Sequence, residues 1–303
     1  MPLPPQLHVF VRDWLSANNV VLKSRDGHVL IDSGYRSHAP LTLALLASPR
    51  GLGGEPLSLL ANTHGHSDHI GGNAAVRAAY GCPIAFPAAE APAIERWDGK
   101  LLLYEYADQH ADRFAVDLRL ETGSTHVWGD LEWRMLAAPG HDMHALVFWN
   151  PEHRILVSGD ALWANGYGLV MPRAIDPQAL PATRATLDMI AGLGARIVIP
   201  GHGEVFTDVG AALERAYRRT EAFEADDERV ARHVLKVLLV FSLLARRSMR
   251  IADLPAYVER VGVYRDLNAA VLRMTPQALV DLLVGELLRG GAIERRGGDV
   301  VPA

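Results

Sequence analysis

Four side chains able to ligate a metal ion fall within six residues at His64-Gly65-His66-Ser67-Asp68-His69. This segment constrains the fold more than any other. Buried imidazoles and carboxylates packed so densely need partners that an apolar core does not supply. In an extended loop alternate side chains point the same way, so His64 and His66 can grip one ion, while Asp68 and His69, at a helix entrance, turn towards a second. One loop can thus feed two cations.

Two divalent ions at ~3.5–4 Å repel each other unless further neutral nitrogens and a negative oxygen between them compensate. His141, Asp160 and His202 are the candidates. Each sits in a glycine-containing turn, Pro139-Gly140-His141, Ser158-Gly159-Asp160 and Pro200-Gly201-His202-Gly203, where a small neighbour lets backbone and ligand approach closely. Cys82 is the only cysteine, which excludes an internal disulfide and removes thiolates as the main ligands.

The pattern around these residues predicts an α/β core. Residues 20–23 and 29–32 flank Asp26-Gly27, a dipeptide suited to a tight hairpin. The apolar runs 57–61, 155–158 and 195–200 each stop at a candidate ligand, as in sheets whose binding groups collect beyond strand ends. A strand pair is expected within 125–137, a strand at 146–149, and helices at 70–80 and 181–193. In the first helix Ala74, Ala75, Ala78 and Ala79 are expected to pack inward.

Beyond His202 the apolar spacing turns helical over 209–223, 229–245, 254–261 and 276–289. Two short β-type runs around Gly297-Gly298 then resemble the wing of a winged helix. A domain boundary is expected near residue 212, giving 1–212 and 213–303. Basic against acidic residues number 15 against 22 in the first part and 15 against 13 in the second. An acidic front half argues against a protein that wraps duplex nucleic acid. The N-terminus lacks a charged start followed by an apolar run, and no apolar stretch reaches ~18 residues, so a cytoplasmic protein with no membrane span is expected.

With these residues in place, the chain resembles the metallo-β-lactamase-fold hydrolases over roughly 18–210. The resemblance implies a four-layer αββα sandwich. It implies that His64, His66 and His141 hold a first metal, Asp68, His69 and His202 a second, and that Asp160 bridges both. It also matches Asp32, at a strand end, to a residue that supports a ligand from behind. Zinc suits the donor set, and iron or manganese are compatible with it.

The function expected is hydrolysis of a thioester, ester or lactone carbonyl of a small molecule by a metal-bridging hydroxide, with Asp68 also shuttling a proton to the leaving group. Within the family, β-lactamases of the commonest type carry Cys where Asp160 stands, and lactonases carry Tyr where Trp163 stands. Glyoxalase II proteins bind glutathione through a basic motif that residues 213–303 do not match. A helical tail with a wing resembles most the β-lactamase-like proteins that end in a winged helix.

Three rival readings remain. The first is a ribonuclease using Arg246, Arg247, Arg250, Arg295 and Arg296 on phosphate, although the 42 residues from Asp160 to His202 leave no room for an inserted clamp domain. The second is a persulfide dioxygenase built on one iron, and the third a pseudoenzyme with a regulatory tail. Homo-oligomers are compatible with the sequence. Tyr35, Trp163 and Tyr167 either line a pocket or pack in the core, and His144 either orients His141 or is unrelated to it.

Overall fold

In the computed structural model, which describes residues 2–303, the strands near the site are short, and Asn19–Leu22, Leu146–Asn150, Ile155–Gly159 and Ile197–Pro200 are buried on both faces. Side chains alternate across a strand, and the alternation here separates three apolar clusters. Val20, Leu22, Val29 and Ile31 from one sheet meet Phe148, Ile155, Val157, Ile197 and Ile199 from another. The intervening Val21 and Leu30 face outward onto helices, as do Val147, Leu156 and Val198 of the second sheet. The result is helix, sheet, sheet, helix, the αββα order expected.

The first sheet runs β1 (Leu7–Phe10), β2 (Asn19–Leu22), β3 (His28–Ile31), β4 (Leu57–Ala61), β5 (Ile84–Pro87) and β6 (Leu118–Leu120), in that order. Its pairs are antiparallel up to β3 and parallel beyond it. The second contains β7 (Thr125–Trp128), β8 (Leu131–Ala137), β9 (Leu146–Asn150), β10 (Ile155–Gly159) and β11 (Ile197–Pro200), in reverse spatial order. Only β10 and β11 pair in parallel there.

Helices α1 (Ala39–Ala47), α2 (Ser67–Ile70), α3 (Asn73–Tyr80) and α4 (Ala91–Arg96) cover the first sheet. The helix expected over 70–80 is in fact broken. A single turn, α2, stops at Gly71-Gly72, where Cβ atoms would lie 2.6 Å from the Ser67 carbonyl and 2.5 Å from that of Ser33. Nor do the alanines set its inner face, because Val76 is buried whereas Ala78 and Ala79 are exposed.

On the second sheet lie α5 (Ala179–Leu193) and α6 (Val209–Glu224), followed by α7 (Asp227–Arg246), α8 (Leu254–Arg260), α9 (Gly262–Leu267) and α10 (Pro276–Arg289). Asp208, Asp226 and Thr275 cap α6, α7 and α10 by accepting from backbone amides, as Asp and Thr do at helix starts. The expected boundary at 212 falls inside α6. One apolar cluster runs from Val147 and Leu156 through α5, α6 and α7 to Leu283 of α10 and Val300, so the tail packs on the second sheet's helix layer.

Strand β12 (Met249–Arg250) and the hairpin β13 (Ile293–Arg296) with β14 (Asp299–Pro302) close the chain, turning at Gly297-Gly298 as expected. Among the described residues no single helix is long and apolar enough to cross a membrane.

Candidate metal centre

The loops after β3, β4, β8, β10 and β11 emerge at one end of the two sheets, and backbone hydrogen bonds lock them together. Leu146 N–H donates to the Thr63 carbonyl at 2.9 Å, joining the sheets, and Gly201 N–H donates to the Gly159 carbonyl at 2.7 Å. Asn18 then holds the β11 loop, its amide donating to the carbonyls of Pro200 and Gly203 at 2.9 and 2.8 Å. Residues 138 positions apart in the chain, His64 and His202, thereby share one pocket.

His64, His66 and His141 form the first cluster. His66 Nδ1 lies 3.1 Å from His64 Nε2 and 2.7 Å from His141 Nε2. Their outer partners decide which nitrogens carry protons. Thr63 Oγ1 gives its one hydrogen to Asp32 Oδ2 at 2.8 Å, so it accepts from His64 Nδ1 at 3.0 Å. His141 Nδ1 donates to the Leu169 carbonyl at 2.5 Å. Both Nε2 atoms therefore present lone pairs inward, which is what a cation requires.

Asp68, His69, Asp160 and His202 form the second cluster, and all four are buried. His202 Nε2 is 2.9 Å from Asp68 Oδ2, and His69 Nε2 is 3.8 Å from the same atom. Asp160 faces both clusters: Oδ1 lies 3.3 Å from His69 Nε2 and Oδ2 3.3 Å from His141 Nε2. His69 Nδ1 donates to Asp32 Oδ2 at 2.7 Å, leaving its buried Nε2 without a hydrogen-bond partner. Asp32 holds a left-handed backbone, φ 57°, which a short polar side chain tolerates.

The charge balance divides along the same line. Burial, reinforced by His141, pushes His66 down to about 4, and burial with His69 and His66 nearby drives His64 well down. His64 and His66 are thus neutral donors. Burial also opposes charge on His69, but Asp160, Asp32 and Asp68 outweigh it and raise this imidazole well above its usual range. Three buried carboxylates around one ring leave excess negative charge that either a proton or a divalent cation can balance. Donor chemistry, convergent lone pairs and an orphaned nitrogen all fit a pair of divalent metals.

Glycine permits this crowding. A Cβ on Gly168 would stand 2.5 Å from His141 Nδ1, and one on Gly201 would overlap Asp160 Oδ1. Sequence reasoning placed Gly201 correctly and missed Gly168, which reaches His141 from 27 residues away.

A cavity opens on the cluster. His66, Asp68, His141, Asp160 and His202 line one side, while Leu102, Leu103, Leu169 and the α7 residues Val237, Leu238 and Phe241 make the rest largely apolar. Trp163 lines it too and donates its indole N–H to Asp160 Oδ1 at 3.1 Å. Trp14 stacks on His202 at 5.6 Å, a contact no sequence signal announced.

Tyr35 lies instead beside another cavity, with Asp108 and Arg246. Tyr167 is buried, its hydroxyl paired with Thr220 at 2.9 Å. His144 is exposed and does not orient His141, which uses Leu169. Among the tail arginines, Arg246 pairs with Asp108 at 2.6 Å and Arg296 with Glu294 at 3.3 Å.

Residues 12–202 match the metallo-beta-lactamase superfamily. The chain belongs to that superfamily. The hydroxyacylglutathione hydrolase of Bdellovibrio bacteriovorus is 28% identical over 115 residues, 37% of each chain. This chain therefore spans well under half the length of that relative. Acyl-coenzyme A thioesterase MBLAC2 of Gallus gallus is 28% identical over 221 residues, covering 67% of this chain and 76% of that one. The solved structure of TTHA1623 in a di-iron-bound form superposes with TM-score 0.55 at 25% identity, covering 69% of this chain and 98% of its own. The superfamily resemblance first drawn from the ligand spacing holds, and the match begins a few residues earlier than expected.

Proposed function

We propose that this chain is a binuclear metal-dependent hydrolase of small-molecule acyl thioesters, with esters and lactones within reach of the same chemistry. The observation that carries the reading is Asp160, whose two oxygens face two separate histidine clusters at 3.3 Å each. A carboxylate so placed is suited to bridge two ions. His64, His66 and His141 would hold one, and Asp68, His69 and His202 the other.

Held by these residues, two divalent ions would supply a hydroxide at neutral pH and Lewis acidity towards a carbonyl. The protein does the rest. Asp32 fixes the His69 ring through Nδ1, and the Leu169 carbonyl fixes His141 in the tautomer that leaves Nε2 free. Asp68 lines the cavity and sets Oδ2 against His202; as a carboxylate it would take a proton from the attacking water and pass it to the departing thiolate.

Apolar walls supplied by residues 102–103 and α7 favour an acyl group over a polar backbone. The names of the two relatives, one an acyl-coenzyme A thioesterase and the other a hydrolase of an acylated glutathione, support thioesters first. Zinc is the metal this donor set suits, and the di-iron form of the solved neighbour makes iron the competitor to measure.

Purified protein is expected to carry close to two metals per chain, by elemental analysis, and to hydrolyse acyl thioesters. Asp160→Ala should lose both occupancy and turnover. Full metal retention with unchanged activity in that variant would overturn the assignment.

A further inference from the structure

Behind the cavity at the centre lies a second one that shares five of its lining residues: Trp163, Leu169, His202, Val237 and Phe241. Arg219, from the middle of α6, lies in its wall. The guanidinium packs on the rings of Tyr167 and Phe223, 5.0 and 5.2 Å from their centroids, and donates to the Tyr167 carbonyl at 3.1 Å and to His233 Nε2. Both partners are neutral acceptors. Among the described residues no carboxylate comes within ion-pair distance of Arg219.

Its cationic neighbours are not left so. Arg184 pairs with Glu224 at 2.7 Å, and Lys236 holds Glu286 at 2.7 Å. Glu286 is therefore taken, and Glu204, the other acid of the wall, is exposed. Burial pulls the Arg219 pKa below its usual value, with only the Tyr167 phenol acting against it. A half-buried cation without a counter-ion, facing a cavity beside the candidate centre, is an arrangement that an incoming anion completes.

The structure assigns to Arg219 a specificity-determining role: it receives a carboxylate or phosphate at the far end of an apolar substrate arm that reaches from the candidate centre past Val237 and Phe241. The assignment rests on the thioesterase reading for the reacting end and adds the anionic end. Trp14, Trp163 and Leu287 supply further apolar wall for such an arm.

The test uses the metal-loaded full chain and N-acetylcysteamine thioesters of matched length, roughly six to twelve carbons, ending in methyl, carboxylate or phosphate. At the best length an anionic end should raise kcat/KM about tenfold or more over methyl, because a polar site rejects an analogue that leaves it unpaired. Arg219→Met should collapse that ratio through KM rather than kcat, and Arg219→Lys should restore part of it. The larger of the carboxylate and phosphate preferences names the source of the anion.

Equal rates for methyl-ended and anion-ended substrates in the native chain would overturn the assignment, even if Arg219→Met failed to fold. A second readout is independent of turnover. Suberate should quench tryptophan fluorescence at lower concentration than octanoate, and Arg219→Met should abolish the difference. If suberate binds so but no thioester is cleaved, the thioesterase reading fails and the anion site stands. If thioesters are cleaved with neither preference, the anion site fails alone; if neither is seen, both fail.

Discussion

Replacing Gly201 by alanine adds one methyl group at the most crowded point of the site. The backbone there is not in the left-handed region, so the substitution carries no conformational penalty of its own. Its Cβ would instead overlap Asp160 Oδ1 and stand 2.9 Å from His69 Cε1. Relieving that overlap requires Asp160 to move by about 1 Å, a displacement that can cost on the order of 10²-fold in rate. Overpacking also costs about 1–3 kcal/mol of stability.

The assay compares metal content after dialysis, thioesterase kcat and denaturant midpoint for Gly201→Ala beside Gly210→Ala, where a Cβ meets nothing within 4 Å. Gly210→Ala should be neutral or slightly stabilising, by up to ~1 kcal/mol. Two tightly held metals and native turnover in Gly201→Ala would refute the claim that Asp160 must sit where the structure puts it.

Two further outcomes follow from the same geometry. Asp32→Asn keeps the shape but removes the charge facing His69 Nδ1, and should weaken metal affinity by about 10–100-fold in a competition titration; unchanged affinity would remove Asp32 from the site. Burial, then Arg219, Lys236 and Arg229, hold His233 down at about 3. Between pH 6.5 and 3 the unfolded chain therefore binds a proton that the folded chain refuses, and stability falls as pH falls. At pH 5 this amounts to roughly 2 kcal/mol, which His233→Gln should recover relative to pH 7 in urea melts; identical pH slopes would refute it.

The two clusters of metal-capable side chains were legible in the sequence because four of the seven are local. Six residues, 64–69, hold four donors, and short apolar strands ending at Asp160 and His202 carry the rest to a common edge. The α/β layering was equally legible, since short, mainly apolar runs such as 57–61, 155–158 and 195–200 alternate with segments of helical spacing. The break at Gly71-Gly72 was not, because it arises from the backbone at Ser33 and Arg36, distant in sequence.

The sequence by itself determined which side chains can meet a metal and that strands would deliver them. Tertiary structure alone decided how the two clusters share Asp160, that Leu169 sets the His141 tautomer, and that Trp14 and Trp163 flank His202. It also brought α7 over the centre and left Arg219 of α6 without an anion. Donor chemistry belongs to a residue type, whereas partners, tautomers and uncompensated charge are properties of neighbours that only folding supplies.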